Sequence, residues 1–185
     1  MDSVYWGPGW SWDDVPYAFQ PYLSPLMLNR GCVDVTVTPT KKDSLPDVMC
    51  IPASDYYQVD NDAVSFSPEG GKLEVTRNWL YQGNLIHISG NVSKTVTKTL
   101  SINDSKNFFF HTFVNRLHEK GIEASATGYA ECPQSDSLQV VSSLYTLNRP
   151  IGEVLKQMMK ESDNLCAESM FYHLASQYTA KKYTS

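Results

Sequence analysis

Val33, Val35 and Val37 alternate with Asp34, Thr36 and Thr38. An apolar run of period two buries one face only as a β-strand. Further strand candidates are 47–51, 63–67, 72–77, 84–90 and 92–99. Pro39, Pro52, Pro68-Glu69-Gly70-Gly71, Gly83-Asn84 and Gly90-Asn91 supply turns between several of them. The period then changes. Phe109, Phe110, Phe113, Val114 and Leu117 recur at three- and four-residue steps, which predicts a helix over 105–120. Asp104 or Ser105 can cap its start, and Gly121 can end it in the left-handed conformation. Two more strand candidates follow, 122–130 and 138–147. From 149 onward Ile151, Val154, Leu155, Met158 and Met159 form an apolar helical stripe that resumes at Leu165, Cys166 and Met170. Asn148 can cap this helix, with Pro150 in its first turn. The pattern predicts an α+β fold. An antiparallel sheet-rich domain with one helix spans 1–147, and a helical piece spans 148–185.

Residues 1–30 are different in character. Tyr5, Trp6, Trp10, Trp12, Tyr17, Phe19 and Tyr22 are interspersed with Pro8, Pro16, Pro21 and Pro25, which forbids a long helix there.

At 185 residues and 42% hydrophobic composition the chain can bury a core. Its net charge of −5 offers no basic surplus to neutralise phosphates, which argues against nucleic acid as a partner. No apolar run approaches the ~20 residues of a transmembrane helix. The opening residues lack the pattern of a signal peptide, so the chain reads either as cytosolic or as beginning partway through a longer exported protein. Cys32, Cys50, Cys132 and Cys166 contain no Cys-x-x-Cys pair. Buried thiols are the expectation, although four cysteines allow three full disulfide pairings. His87, His111, His118 and His173 show no ligand spacing, so neither a metal nor a cofactor is expected.

The segment Met158-Met159-Lys160-Glu161-Ser162-Asp163-Asn164-Leu165 is the most informative for chemistry. On a straight helix at ~100° per residue, Ser162 falls in the apolar stripe and Asn164 on nearly the opposite face. Ser, Asp and Asn all compete with helical hydrogen bonding. Three in succession predict a break at 162–164 that would let Ser162 and Asn164 serve one place.

The stretch Pro150-Ile151 through Val154-Leu155-Lys156-Gln157-Met158-Met159-Lys160-Glu161-Ser162-Asp163-Asn164-Leu165-Cys166-Ala167-Glu168 resembles the second active-site motif of penicillin-binding D-alanyl-D-alanine carboxypeptidases. Gly7-Pro8-Gly9-Trp10-Ser11-Trp12-Asp13-Asp14, Leu23-Ser24-Pro25-Leu26 and Asn29-Arg30-Gly31-Cys32-Val33 resemble the accessory region that the class C type inserts between its first two motifs. Ser54-Asp55-Tyr56-Tyr57 and Lys120-Gly121-Ile122 agree with it.

The resemblance implies a serine-type D-Ala-D-Ala carboxypeptidase or endopeptidase. Such enzymes act on peptidoglycan stem peptides through an acyl-enzyme, and β-lactams acylate them. It implies a proton-relay role for Ser162 and an orienting role for Asn164. It also implies that Asp14 recognises the free amine of the stem peptide beside an apolar Phe19; Asp13 could fill the same role. A periplasmic or cell-envelope location follows from the resemblance alone. No serine here has lysine three residues later, and Lys94-Thr95 and Lys98-Thr99 are not followed by glycine. The chain therefore reads as a middle fragment: part of the inserted region, then the helical start of the returning transpeptidase-like catalytic domain. Such a fragment should be inactive by itself, with self-association through its truncated helical end. The competing reading is a non-catalytic envelope module that holds glycan or peptide on its N-terminal aromatics.

Overall fold

The computed structural model describes residues 9–81, 83–124 and 145–178. They fall into two units, one holding 9–124 and the other 145–178.

In the first unit, β1 (Cys32–Thr38) is the middle strand of a three-stranded sheet. β2 (Asp47–Ile51) and β8 (Val96–Ser101) flank it, both antiparallel. Its valines follow the predicted alternation, since Val33, Val35 and Val37 have no exposed surface. The opposite face carries polar pairs, Thr36 with Thr97 at 2.9 Å and Thr99 Oγ1 donating to Asp34 at 2.6 Å.

A second three-stranded sheet has β6 (Leu85–Ser89) between β3 (Gln58–Asn61) and β5 (Glu74–Arg77). β5 runs antiparallel to β6, but β3 runs parallel to it. β4 (Val64–Ser65) and β7 (Asn91–Val92) make a further short parallel pair. These parallel pairs add to the antiparallel pattern expected from the sequence. Strand β3 itself has no counterpart among the sequence candidates, because Gln58, Asp60 and Asn61 leave only Val59 as an apolar signal.

The candidate 63–67 shortens to β4, and 92–99 divides into β7 and β8. Gly90, at φ 94°, separates β6 from β7, where the chain passes close to its neighbour: a Cβ there would lie 2.2 Å from the Lys72 carbonyl oxygen. Of the candidate 122–130, residues 122–124 have no regular structure and the rest lie outside the described residues. Likewise 138–144 lie outside them, and 145–147 have no regular structure.

Helix α1 (Ser105–Glu119) joins the two sheets in one core. Phe108 clusters with Val33, Val35, Val37, Tyr57, Ala63, Ile86, Ile88, Val92, Leu100 and Ile102. Fully burying side chains of this size is worth ~1.5–3 kcal/mol each. Asp104 caps α1 by accepting the Asn107 N–H at 3.1 Å. At the other end Gly121 (φ 73°) donates to His118 and Ile122 donates to Leu117, a Schellman closure.

The second unit consists of α2 (Ile151–Lys160) and α3 (Asn164–Tyr178), packed on each other. Pro150 in extended conformation occupies the start of α2, and no side chain caps it. The expected Asn148 cap is displaced, because Pro150 disfavours a helical conformation in the residue before it. Neither helix has a fully buried apolar residue; Ile151, Met159, Phe171 and Leu174 are at least half exposed. No helix among the described residues is long and apolar enough to cross a membrane.

Candidate functional site

The helix breaks where the sequence predicts it. α2 stops at Lys160, Ser162 adopts a left-handed φ of 52°, and α3 starts at Asn164. A left-handed conformation costs a non-glycine residue ~1–2 kcal/mol. Ser162 is exposed at this turn rather than buried in an apolar stripe, and Asn164 is half-buried at the first position of α3.

The cap of α3 is neither of these two residues. Asp163 is 6% exposed; its Oδ1 accepts the Cys166 N–H at 3.1 Å and its Oδ2 accepts the Gln157 side-chain amide at 3.2 Å. Asp is as good an N-cap as Ser or Asn, and its second oxygen also reaches Gln157 on α2. A carboxylate here suits the positive end of the α3 dipole. Ser162 and Asn164 are left on either side of the cap.

Asp13, Asp14 and Phe19 belong to the first unit. Asp13 and Asp14 lie in a short 3-10 turn, Trp12–Asp14. Asp13 is exposed and accepts a short hydrogen bond from the Ser11 hydroxyl, while Asp14 is half-buried. The Asp14 N–H donates to the Ser11 carbonyl at 3.3 Å, and its carbonyl accepts the Tyr17 N–H at 3.0 Å. Phe19 is half exposed and stacks on Tyr17, with ring centroids 5.5 Å apart and planes 10° from parallel. The structure thus gathers the acids and Phe19 on one loop, and Ser162 and Asn164 on one helix break, in separate units.

Burial pushes the Cys32 thiol up to about 12, above the range in which a thiolate would act as nucleophile. Burial also raises Cys50.

One group of side chains escaped the sequence reading. Asp60, Asp62 and His87 place ligand atoms within 4.8 Å of one another, close enough for one cation. The parallel register of β3 and β6 sets Asp60 beside His87, whose Nδ1 lies 3.2 Å from its carboxylate. Histidine spacing along the chain could not show this, since the acids come from a neighbouring strand. The Asp-x-Asp alternation of 60 and 62 was the available signal. All three residues are at least partly exposed, and His87 already satisfies one of the two carboxylates.

The architecture is one known from penicillin-binding proteins. The chain belongs to the D-Ala-D-Ala carboxypeptidase 3 (S13) family, whose model matches residues 1–185. It is similar in fold to a crystal structure of penicillin binding protein 4 from Haemophilus influenzae, with a TM-score of 0.67 at 20% identity, over 96% of this chain and 39% of that one. A second crystal structure of the same protein, complexed with a novel β-lactam, gives a TM-score of 0.58 at 20% identity, over 86% of this chain and 36% of that one. The chain therefore spans about two fifths of the length of the solved relative.

Proposed function

We propose that the chain is a middle portion of a serine-type D-Ala-D-Ala carboxypeptidase or endopeptidase acting on peptidoglycan stem peptides in the periplasm or cell envelope. Ser162 relays a proton toward the leaving amine, and Asn164 orients the catalytic lysine and the substrate amide. Asp14, with Asp13 adjacent, receives the free amine of the stem peptide, and Phe19 lines the apolar side. The nucleophile, its lysine and the carboxylate-binding motif are contributed by the rest of the protein, so the chain alone forms no acyl-enzyme. The observation that carries this reading is the helix break: a strained, exposed serine and the first residue of the next helix flank a buried cap. Glycine would adopt φ 52° without cost, so the serine held there supports a role beyond the turn.

The test is release of D-alanine from a stem pentapeptide by the full-length protein, together with labelling by fluorescent penicillin. Both should occur in the full-length protein. Absence of both from a folded full-length protein would remove the reading.

The non-catalytic alternative finds one supporting observation. Trp12 is 70% exposed and Tyr17 and Phe19 about half exposed, which leaves aromatic surface for a glycan or peptide. The same loop holds Asp13 and Asp14, so the aromatics also fit the walls of a peptide subsite.

A further inference from the structure

Arg77 is among the largest fully buried side chains, 1% exposed at the end of β5. Burial depresses its pKa. No ion pair to it is formed among the described residues. A buried guanidinium without a carboxylate is costly, and an apolar side chain of similar volume commonly fills such a space at less cost. Its planar fork of donors can do what an apolar side chain cannot. Nη1 donates to the Gly83 carbonyl at 2.7 Å and Nη2 donates to the Val15 carbonyl at 3.4 Å, while the guanidinium lies 5.6 Å from the Tyr22 ring centroid.

Val15 directly follows Asp14. Its carbonyl is gripped twice, because the buried Ser101 hydroxyl donates to it as well. Ser101 N–H donates to the Pro16 carbonyl at 3.1 Å, and Tyr17 forms an antiparallel bridge to Leu100. Two residues beyond Arg77, the Trp79 ring packs 5.2 Å from that of Trp12. The segment 77–79 therefore holds the acidic turn from both ends, at Trp12 and at Val15.

We propose that Arg77 is a positioning residue for substrate recognition: by fixing the Val15 carbonyl it sets the direction in which Asp14 meets the amine of the stem peptide. The inference rests on the assignment of Asp14 to amine recognition made above. Ser101 shares the task through the same carbonyl.

The experiment compares two substrates in the full-length protein: a stem peptide with its free amine, and the same peptide acetylated there. Asp14→Asn, Arg77→Met and Ser101→Ala are measured beside the unaltered protein, with folding checked by circular dichroism. A displaced Asp14 should lower kcat/KM for the free-amine peptide on the order of tenfold, mainly through KM. The ratio of free-amine to acetylated kcat/KM should fall toward one in all three variants. A purely structural role would lower both substrates together and keep the ratio. If Arg77→Met does not fold, Ser101→Ala decides. Collapse of the ratio in Asp14→Asn, with the ratio intact in Ser101→Ala and in folded Arg77→Met, would overturn the positioning role. An intact ratio in Asp14→Asn would instead overturn the assignment of the amine to Asp14.

Discussion

The side-chain amide of Gln157 donates to Asp163 Oδ2 across 3.2 Å, tying the last turn of α2 to the cap of α3. The middle residue of Ser162-Asp163-Asn164 is thus the structural member, and its neighbours flank a cap that is 6% exposed.

Replacing Asp163 by Ala should destabilise the helix pair more than replacing Asn164. Losing the cap costs about 1 kcal/mol, and the link from Gln157 on α2 goes with it. Thermal melts of the two variants, followed by circular dichroism at 222 nm, measure the difference. Equal melting temperatures would show that the cap carries no weight.

Alkaline pH should loosen the first unit. Burial raises Cys32 from 9.0 to about 12 and Tyr57 from 10.0 to about 12. Both groups hold their protons more tightly folded than unfolded. The stability they contribute is complete below pH 9 and is lost as pH rises toward 12, at roughly 1.4 kcal/mol per unit for each group within its window. Urea midpoints should therefore fall between pH 9 and 11, and Cys32→Ala should reduce the slope. Alkylation at pH 8 should spare Cys32 until the chain is unfolded.

The isolated chain should self-associate. Ile151, Met159, Phe171, Leu174 and Tyr178 are all at least half exposed on the helix pair. Apolar surface of this extent on one small unit marks an interaction face. Light scattering should give a mass above 20.8 kDa that rises with concentration. A strict monomer at all concentrations would contradict this.

Much of this architecture could be read from patterning. The β1 valines, the extent of α1 and the break at Ser162 each carry their own local signal, either a hydrophobic period or a run of helix-competing residues, but α1 buries Phe108 and Thr112 and leaves Phe113 of the expected stripe half exposed. The misses arose where partners are distant in sequence. Strand β3 forms because β6 offers it a parallel edge, not because Gln58–Asn61 is strongly strand-like. The Asp60–Asp62–His87 group exists only through that pairing. Arg77 closes the strand candidate 72–77, and its burial depends on the carbonyls of Val15 and Gly83, which no local pattern shows. The cap fell to Asp163 because only a two-oxygen side chain there can hold both Cys166 and Gln157.

The rate of acylation by benzylpenicillin in the full-length protein, with and without Ser162→Ala, tests the central claim most directly. A serine that relays the proton of the acylation step should, on removal, slow that step by about 10²–10⁴-fold while the protein stays folded. The account predicts that loss at saturating penicillin. An unchanged acylation rate in folded Ser162→Ala would contradict it.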